Sequence, residues 1–265
     1  MIFIYTKNYI CGHVVEVVEL QTLGGVIGRY RRLDKDKMVD IESGEVIDIN
    51  HAKTRAEQTE SLRRSIRNLR MIINANFFGQ HNELFITLTY AENMQDIKRL
   101  YNDFRLFMMR LKWKYKDYKF EYITVPEPQL RGAWHLHVLL KVINKDYLYI
   151  PNDEVVAKLW GHGFTKTRRL ENVDNVGAYV SSYLTNIFDE DTGVKTKGAR
   201  LHLYPSGMNL YRCSRGIKKP EVVEGNLGLD NKYKVYEKQF DITVNDEVVN
   251  IVTIKQYNMK RIDKR

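Results

Sequence analysis

Two cysteines, Cys11 and Cys213, are all the thiols in 265 residues. That excludes a disulfide framework and a cysteine-built zinc site, and a reducing, cytoplasmic compartment is expected. No window holds the ~18 uncharged apolar residues that a membrane-spanning helix needs, so no membrane partner is expected. The apolar opening Met1–Thr6 runs into Lys7 and Asn8, too short for the core of a secretion signal. Internal repeats and low-complexity tracts are missing. So is a Gly-x-x-x-x-Gly-Lys-Ser/Thr phosphate loop, which leaves strand unwinding to a partner. Acidic residues vanish between Lys195 and Lys219, where seven residues are Lys or Arg and Tyr204 and Tyr211 are interleaved.

What is present is mostly basic. A net charge of +9 favours a polyanionic partner, most simply nucleic acid. Residues 1–50 alternate apolar and polar positions and read as short strands. From Lys53 to Asn76 the pattern turns helical: Leu62, Ile66, Leu69 and Ile73 make one apolar stripe, with Arg63, Arg67 and Arg70 beside it. Those arginines suit either a solvated face or contact with a DNA backbone. A strand at Leu84–Tyr90 follows, then a helix from about Asp96 to Trp113. Two strands, Phe120–Val125 and Trp134–Val142, are joined through a turn at Leu130–Gly132. Asn152 is a candidate cap for a short helix that ends near Trp160, with Gly161 and Gly163 as stop signals. Phe164–Arg169 is a further strand, and Asp174 is a candidate cap for a last helix that ends near Asp189–Asp191. The order β-α-β-β-α-β predicts an α+β fold of the ferredoxin-like, split βαβ kind: an antiparallel sheet with helices packed on one face. Three regions are expected: a β-rich N-terminal extension at 1–52, a central domain at 53–220 and a β-rich appendage at 221–265.

Strand side chains repeat every two residues, so His135 and His137 point to one side of the sheet, ~7 Å apart at Cα. Two half-buried histidines or a metal site are both consistent with this. If the turn centres on Arg131, Glu127 lies opposite His135 and projects onto the same face. Two imidazoles and one carboxylate, with positions left open, suit Mg²⁺ or Mn²⁺ acting as a Lewis acid. Tyr179 and Tyr183 stand at i and i+4, on one side of a helix whose apolar stripe holds Val176, Val180, Leu184 and Ile187. Packing and catalysis both use such a pair. With the His-x-His strand ahead of it, the pair can supply a hydroxyl nucleophile beside a metal.

Phe85–Tyr90, Gly132–His137 and Tyr179–Tyr183 together resemble the three ordered motifs of the HUH endonucleases. More narrowly, they resemble the rolling-circle replication initiators of bacterial plasmids and single-stranded DNA phages. Trp160–Phe164 and Tyr211–Pro220 also resemble segments of the replication-associated branch from Gram-positive bacteria, and the likeness spans about residues 60–220. It implies an HUH-type nuclease domain in which a tyrosine, Tyr179 or Tyr183, cuts single-stranded origin DNA. The products are a 5′-phosphotyrosine link and a 3′-OH for a polymerase. It also implies a metal on His135, His137 and Glu127, and a host helicase and polymerase as partners. Candidate DNA contacts are Arg63, Arg67, Arg70, Lys166, Arg168, Lys195, Lys197, Arg200, Arg212 and Arg215. One departure stands out: Ser182 and Asn186 occupy positions where the family commonly carries lysine, so the charge that assists the tyrosine must come from elsewhere. A transposase or mobilisation relaxase using the same chemistry is the alternative enzyme. A non-catalytic origin-binding protein is the alternative from another class. A ferredoxin-like RNA-binding module fits less well, because it needs stacking aromatics on the sheet face that carries the histidines.

Overall fold

The computed structural model describes residues 4–21, 30–41, 43–49, 59–129, 131–170, 173–181, 203–244 and 247–260. In chain order the elements are β1 (Tyr5–Cys11), β2 (Val14–Leu20), β3 (Tyr30–Arg32), β4 (Lys37–Asp40), β5 (Val46–Asp48) and α1 (Thr59–Asn74). Then come β6 (Glu83–Leu88), α2 (Ile97–Lys114), β7 (Phe120–Pro128), β8 (Trp134–Val142), α3 (Ala157–Trp160), β9 (Thr165–Arg168) and α4 (Val176–Ser181). The last are β10 (Arg212–Cys213), β11 (Glu221–Glu224), β12 (Lys234–Val244) and β13 (Glu247–Asn258). The fold is α+β, and its sheets are antiparallel. Among the described residues, no helix is long and apolar enough to cross a membrane.

The chain forms two compact units, one from residues 1–53 with 221–265 and one from 54–220. In the first, strands from both ends of the chain share a sheet of order β11-β1-β2-β13-β12, and β3-β4-β5 form a second small sheet. The segments expected as separate extensions are thus paired, with Val18 opposite Ile254. Their small core is Val15, Val17 and Tyr257, with Leu229, Tyr233 and Met259 packed against it.

In the second unit the strand order is β10-β7-β8-β6-β9, so the four strands of the split βαβ run β7-β8-β6-β9. Alternation along β6 and β8 sorts their side chains to two faces. Leu84, Ile86, Leu88, Leu136, Val138 and Leu140 pack with Leu100, Phe104, Phe107 and Leu111 of α2 and Trp160 of α3. Asp96 starts α2 by accepting from the amides of Lys98 and Arg99. The opposite face differs from the one-sided arrangement expected. There Phe85, Ile123, Val125 and Leu139 pack with Leu69 and Ile73 of α1 and with Val176 and Val180 of α4. Each such fully buried side chain contributes about 1.5–3 kcal/mol, so α4 is anchored by its two valines.

Two caps differ from the sequence reading. Asn152 opens a π-helical turn rather than capping it; its side chain bonds the Thr165 carbonyl and both threonine hydroxyls of β9. At α4 the capping side chain is Asn175, which accepts from the Ala178 amide at 2.8 Å, and not Asp174. The end of that last helix, with Leu184 and Ile187, and the start of the first at Lys53 lie outside the described residues.

Candidate metal centre and tyrosine

The β7–β8 hairpin sets the first part of the site. Its turn is closed by the Gln129 amide on the Ala133 carbonyl, with Gly132 at φ +87°, a conformation that favours glycine. This turn puts Glu127 opposite His135. The strand tolerates Pro126 because its carbonyl points away from β8, to the Tyr204 hydroxyl at 2.7 Å, and its missing N–H lies on that same outer side. Glu127 Oε2 lies 2.8 Å from His137 Nε2 and 3.5 Å from His135 Nε2. One ligand atom from each of the three residues falls within 4.8 Å of the others.

Neighbours hold the imidazoles in place. Thr87, opposite His137 on β6, has its hydroxyl 3.3 Å from His137 Nδ1, leaving Nε2 for the centre. Phe85 stacks on the His137 ring at 5.4 Å and 12°. The three side chains are largely buried, with 8% of His137, 16% of Glu127 and 18% of His135 exposed. The set fits a divalent ion: two imidazole nitrogens and a carboxylate oxygen already converge, and their partial burial strengthens attraction for a cation. Mn²⁺ suits this mixed set, as does Mg²⁺ with water completing its shell.

The tyrosine reaches the same face by a different route. Asn74, at the end of α1, donates to Asn175 Oδ1 and accepts from the Gly177 amide at 2.7 Å. Gly177 lies so close that a Cβ there would fall 2.8 Å from Asn74 Oδ1 and closer still to the Arg70 carbonyl oxygen. Helix α4 is therefore keyed onto α1, and it carries Tyr179 over Phe85, edge to face at 6.4 Å. Phe85 is thus flanked by Tyr179 and by the His137 ring.

Cross-strand rows bring basic residues to this face. His137, Thr87 and Lys166 form one row, and Leu139, Phe85 and Arg168 the next. Arg168 lies over both the Phe85 and Tyr179 rings, whereas Lys166 is exposed. On α1, Arg63 is exposed while Arg67 and Arg70 are half-buried, so the three do not make a uniform solvated stripe. Arg212 lies elsewhere: its guanidinium stacks 3.4 Å above Tyr101 of α2, and Arg215 is exposed in the turn after β10. Tyr183, Lys195, Lys197 and Arg200 lie outside the described residues.

Several contributors escape the sequence reading. Phe85 and Thr87 share the parity that faces the histidines, a signal the alternation of β6 carries. Asn74 and Gly177 make contacts over about a hundred positions of sequence and leave no local trace. The Trp160–Phe164 segment proves to be structural. Trp160 donates to the Thr89 carbonyl, and Gly163 sits where a Cβ would strike the Thr89–Ala91 backbone. Nearby, burial and a hydrogen bond to Asp103 push the Tyr90 hydroxyl far above the usual tyrosine range. Burial raises Tyr101 and Tyr122 as well, so these three phenols are poor nucleophiles.

A family model for replication-associated proteins of the ORF2 type matches residues 83–188. That segment is less than half of the chain, and it runs from β6 through α4, including the triad and Tyr179. Searches of curated proteins and of solved structures returned no match.

Proposed function

We propose that this chain initiates replication by nicking single-stranded origin DNA through Tyr179, with a divalent ion, Mn²⁺ or Mg²⁺, on Glu127, His135 and His137. The observation that carries this reading is the shared face: a convergent His-His-Glu set and a helix-borne tyrosine lie on either side of Phe85. The match to a replication-associated family over the same residues supports it. When bound, the ion supplies Lewis acidity at the scissile phosphate. Tyr179 Oη forms a bond to phosphorus as the P–O3′ bond breaks, and the departing O3′ takes up a proton. The chain is left on a 5′-phosphotyrosine, and the free 3′-OH is open to a polymerase. Tyr183, one turn further on, has the spacing to accept the strand in a later transfer. Lys166, on the histidine row, is placed to hold the phosphate backbone. Host helicase and polymerase complete the proposed partner set.

The test uses single-stranded oligonucleotides tiling the DNA on both sides of the gene, incubated with the full chain and Mn²⁺. The expected product is a denaturant-resistant protein–DNA adduct that Tyr179→Phe reduces at least about a hundredfold and chelation abolishes. Absence of an adduct, or one indifferent to the joint loss of Tyr179 and Tyr183, overturns the reading. A second reading, a scaffold that holds DNA without cutting it, is favoured by Ser182 and Asn186 standing where related initiators carry lysine. Salt-dependent binding that survives the double substitution, with no cleavage under any metal, is its signature. Cleavage confined to transfer-origin or transposon-end DNA assigns the same chemistry to a relaxase or transposase.

A further inference from the structure

We infer that Arg168 is the positioning residue for the Tyr179 nucleophile, filling the role left open by the missing lysines; this rests on the nicking reading above. The guanidinium carbon of Arg168 lies 4.9 Å from the Phe85 ring centre and 5.5 Å from that of Tyr179. The sheet register, Phe85 opposite Arg168, sets the first contact, and the docking of α4 sets the second. A planar cation at ring contact does two things at once. It fixes the ring's tilt against Phe85 by cation–π attraction, and it lowers the cost of negative charge on the phenolic oxygen. No other basic side chain among the described residues lies over the Tyr179 ring. Lys166, the nearest alternative on β9, pairs with Thr87 and is exposed, which suits the DNA backbone better than the tyrosine. A flexible lysine on the tyrosine's own helix is thus exchanged for an arginine on a strand, held between two aromatic rings.

The test compares wild type, Arg168→Gln, Arg168→Ala and Arg168→Lys in the full chain, using whichever tiling oligonucleotide the wild type cuts. Single-turnover adduct formation is expected to slow at least about tenfold in the Gln and Ala variants and to recover to within about threefold in the Lys variant. Free guanidinium ion at millimolar concentration is expected to restore part of the Ala variant's rate, while DNA affinity changes less than about threefold. An unchanged rate in Arg168→Gln overturns the inference and leaves the nicking reading intact. So does a rate loss matched by an equal affinity loss, or one that neither Lys nor guanidinium repairs. If wild type cuts nothing, the nicking reading fails, and Arg168 is judged by NMR alone. The ring-shifted Nε–Hε resonance of Arg168 must then move when Tyr179 becomes Ala; a resonance that stays in place overturns the contact.

Discussion

Replacing Gly177 by alanine tests whether the α1–α4 junction positions the tyrosine. In an isolated helix the change is favourable by about 0.5–1 kcal/mol, because alanine restricts the unfolded chain. Here the new methyl falls inside contact distance of the Arg70 carbonyl and 2.8 Å from Asn74 Oδ1, and the first of these is backbone that cannot swing aside. Overpacking of this kind costs about 1–3 kcal/mol, and displacing the Asn74–Gly177 hydrogen bond adds about 1 kcal/mol. After the propensity gain, the net loss is about 1–3 kcal/mol. A domain of this size loses about 2–4 °C of Tm per kcal/mol, so thermal unfolding should fall by roughly 3–10 °C. Because α4 carries Tyr179, adduct formation should fall further than stability alone accounts for. Differential scanning calorimetry on Gly177→Ala beside the wild type, with the nicking assay at a temperature where both are folded, decides it. A variant as stable as wild type refutes the reasoning, since helix propensity would then outweigh the junction.

Three further outcomes follow from single contacts. Thr87→Val removes the hydroxyl 3.3 Å from His137 Nδ1, and Mn²⁺ affinity measured by calorimetry should weaken about tenfold with Tm little changed; equal affinity would show that the ring needs no such partner. Tyr204→Phe strips a buried hydroxyl from the Pro126 carbonyl and should cost about 1–2 kcal/mol in urea unfolding, with a null effect arguing against that bond. Desolvation pushes the Cys213 thiol up to about 11, even though the residue is exposed overall. Its folded form therefore holds the proton across neutral pH. Iodoacetamide at pH 8 should modify it about a hundredfold more slowly than a free cysteine, with the rate rising about tenfold per pH unit towards 11. Labelling as fast as a small thiol would contradict that burial.

The β7–β8 hairpin is legible in the sequence because its information is local: alternation, a glycine turn and an equidistant Glu127. The helical stripes of α1 and α2 are legible for the same reason. Their periodicity marks which side is buried but not which sheet face receives it, so α1 and α4 on the second face come only from the structure. Capping chemistry misleads where two competent residues stand side by side. Asp174 and Asn175 both suit an N-cap, and the choice of Asn175 is tied to Asn74, about a hundred positions away. Asn152 has a capping side chain too, but the threonines of β9 engage it instead. The pairing of β2 with β13 joins strands more than two hundred residues apart, and their regular alternation fits many partners equally.

The central claim is a divalent ion on the sheet face to which α4 brings Tyr179. Crystals soaked in Mn²⁺ and measured at the manganese absorption edge test it most directly. The account predicts one anomalous peak within bonding distance of Nε2 of both His135 and His137 and of a Glu127 oxygen, with the Tyr179 ring on the same face. An anomalous map with no peak among those three residues, from protein that binds Mn²⁺ elsewhere, would contradict it.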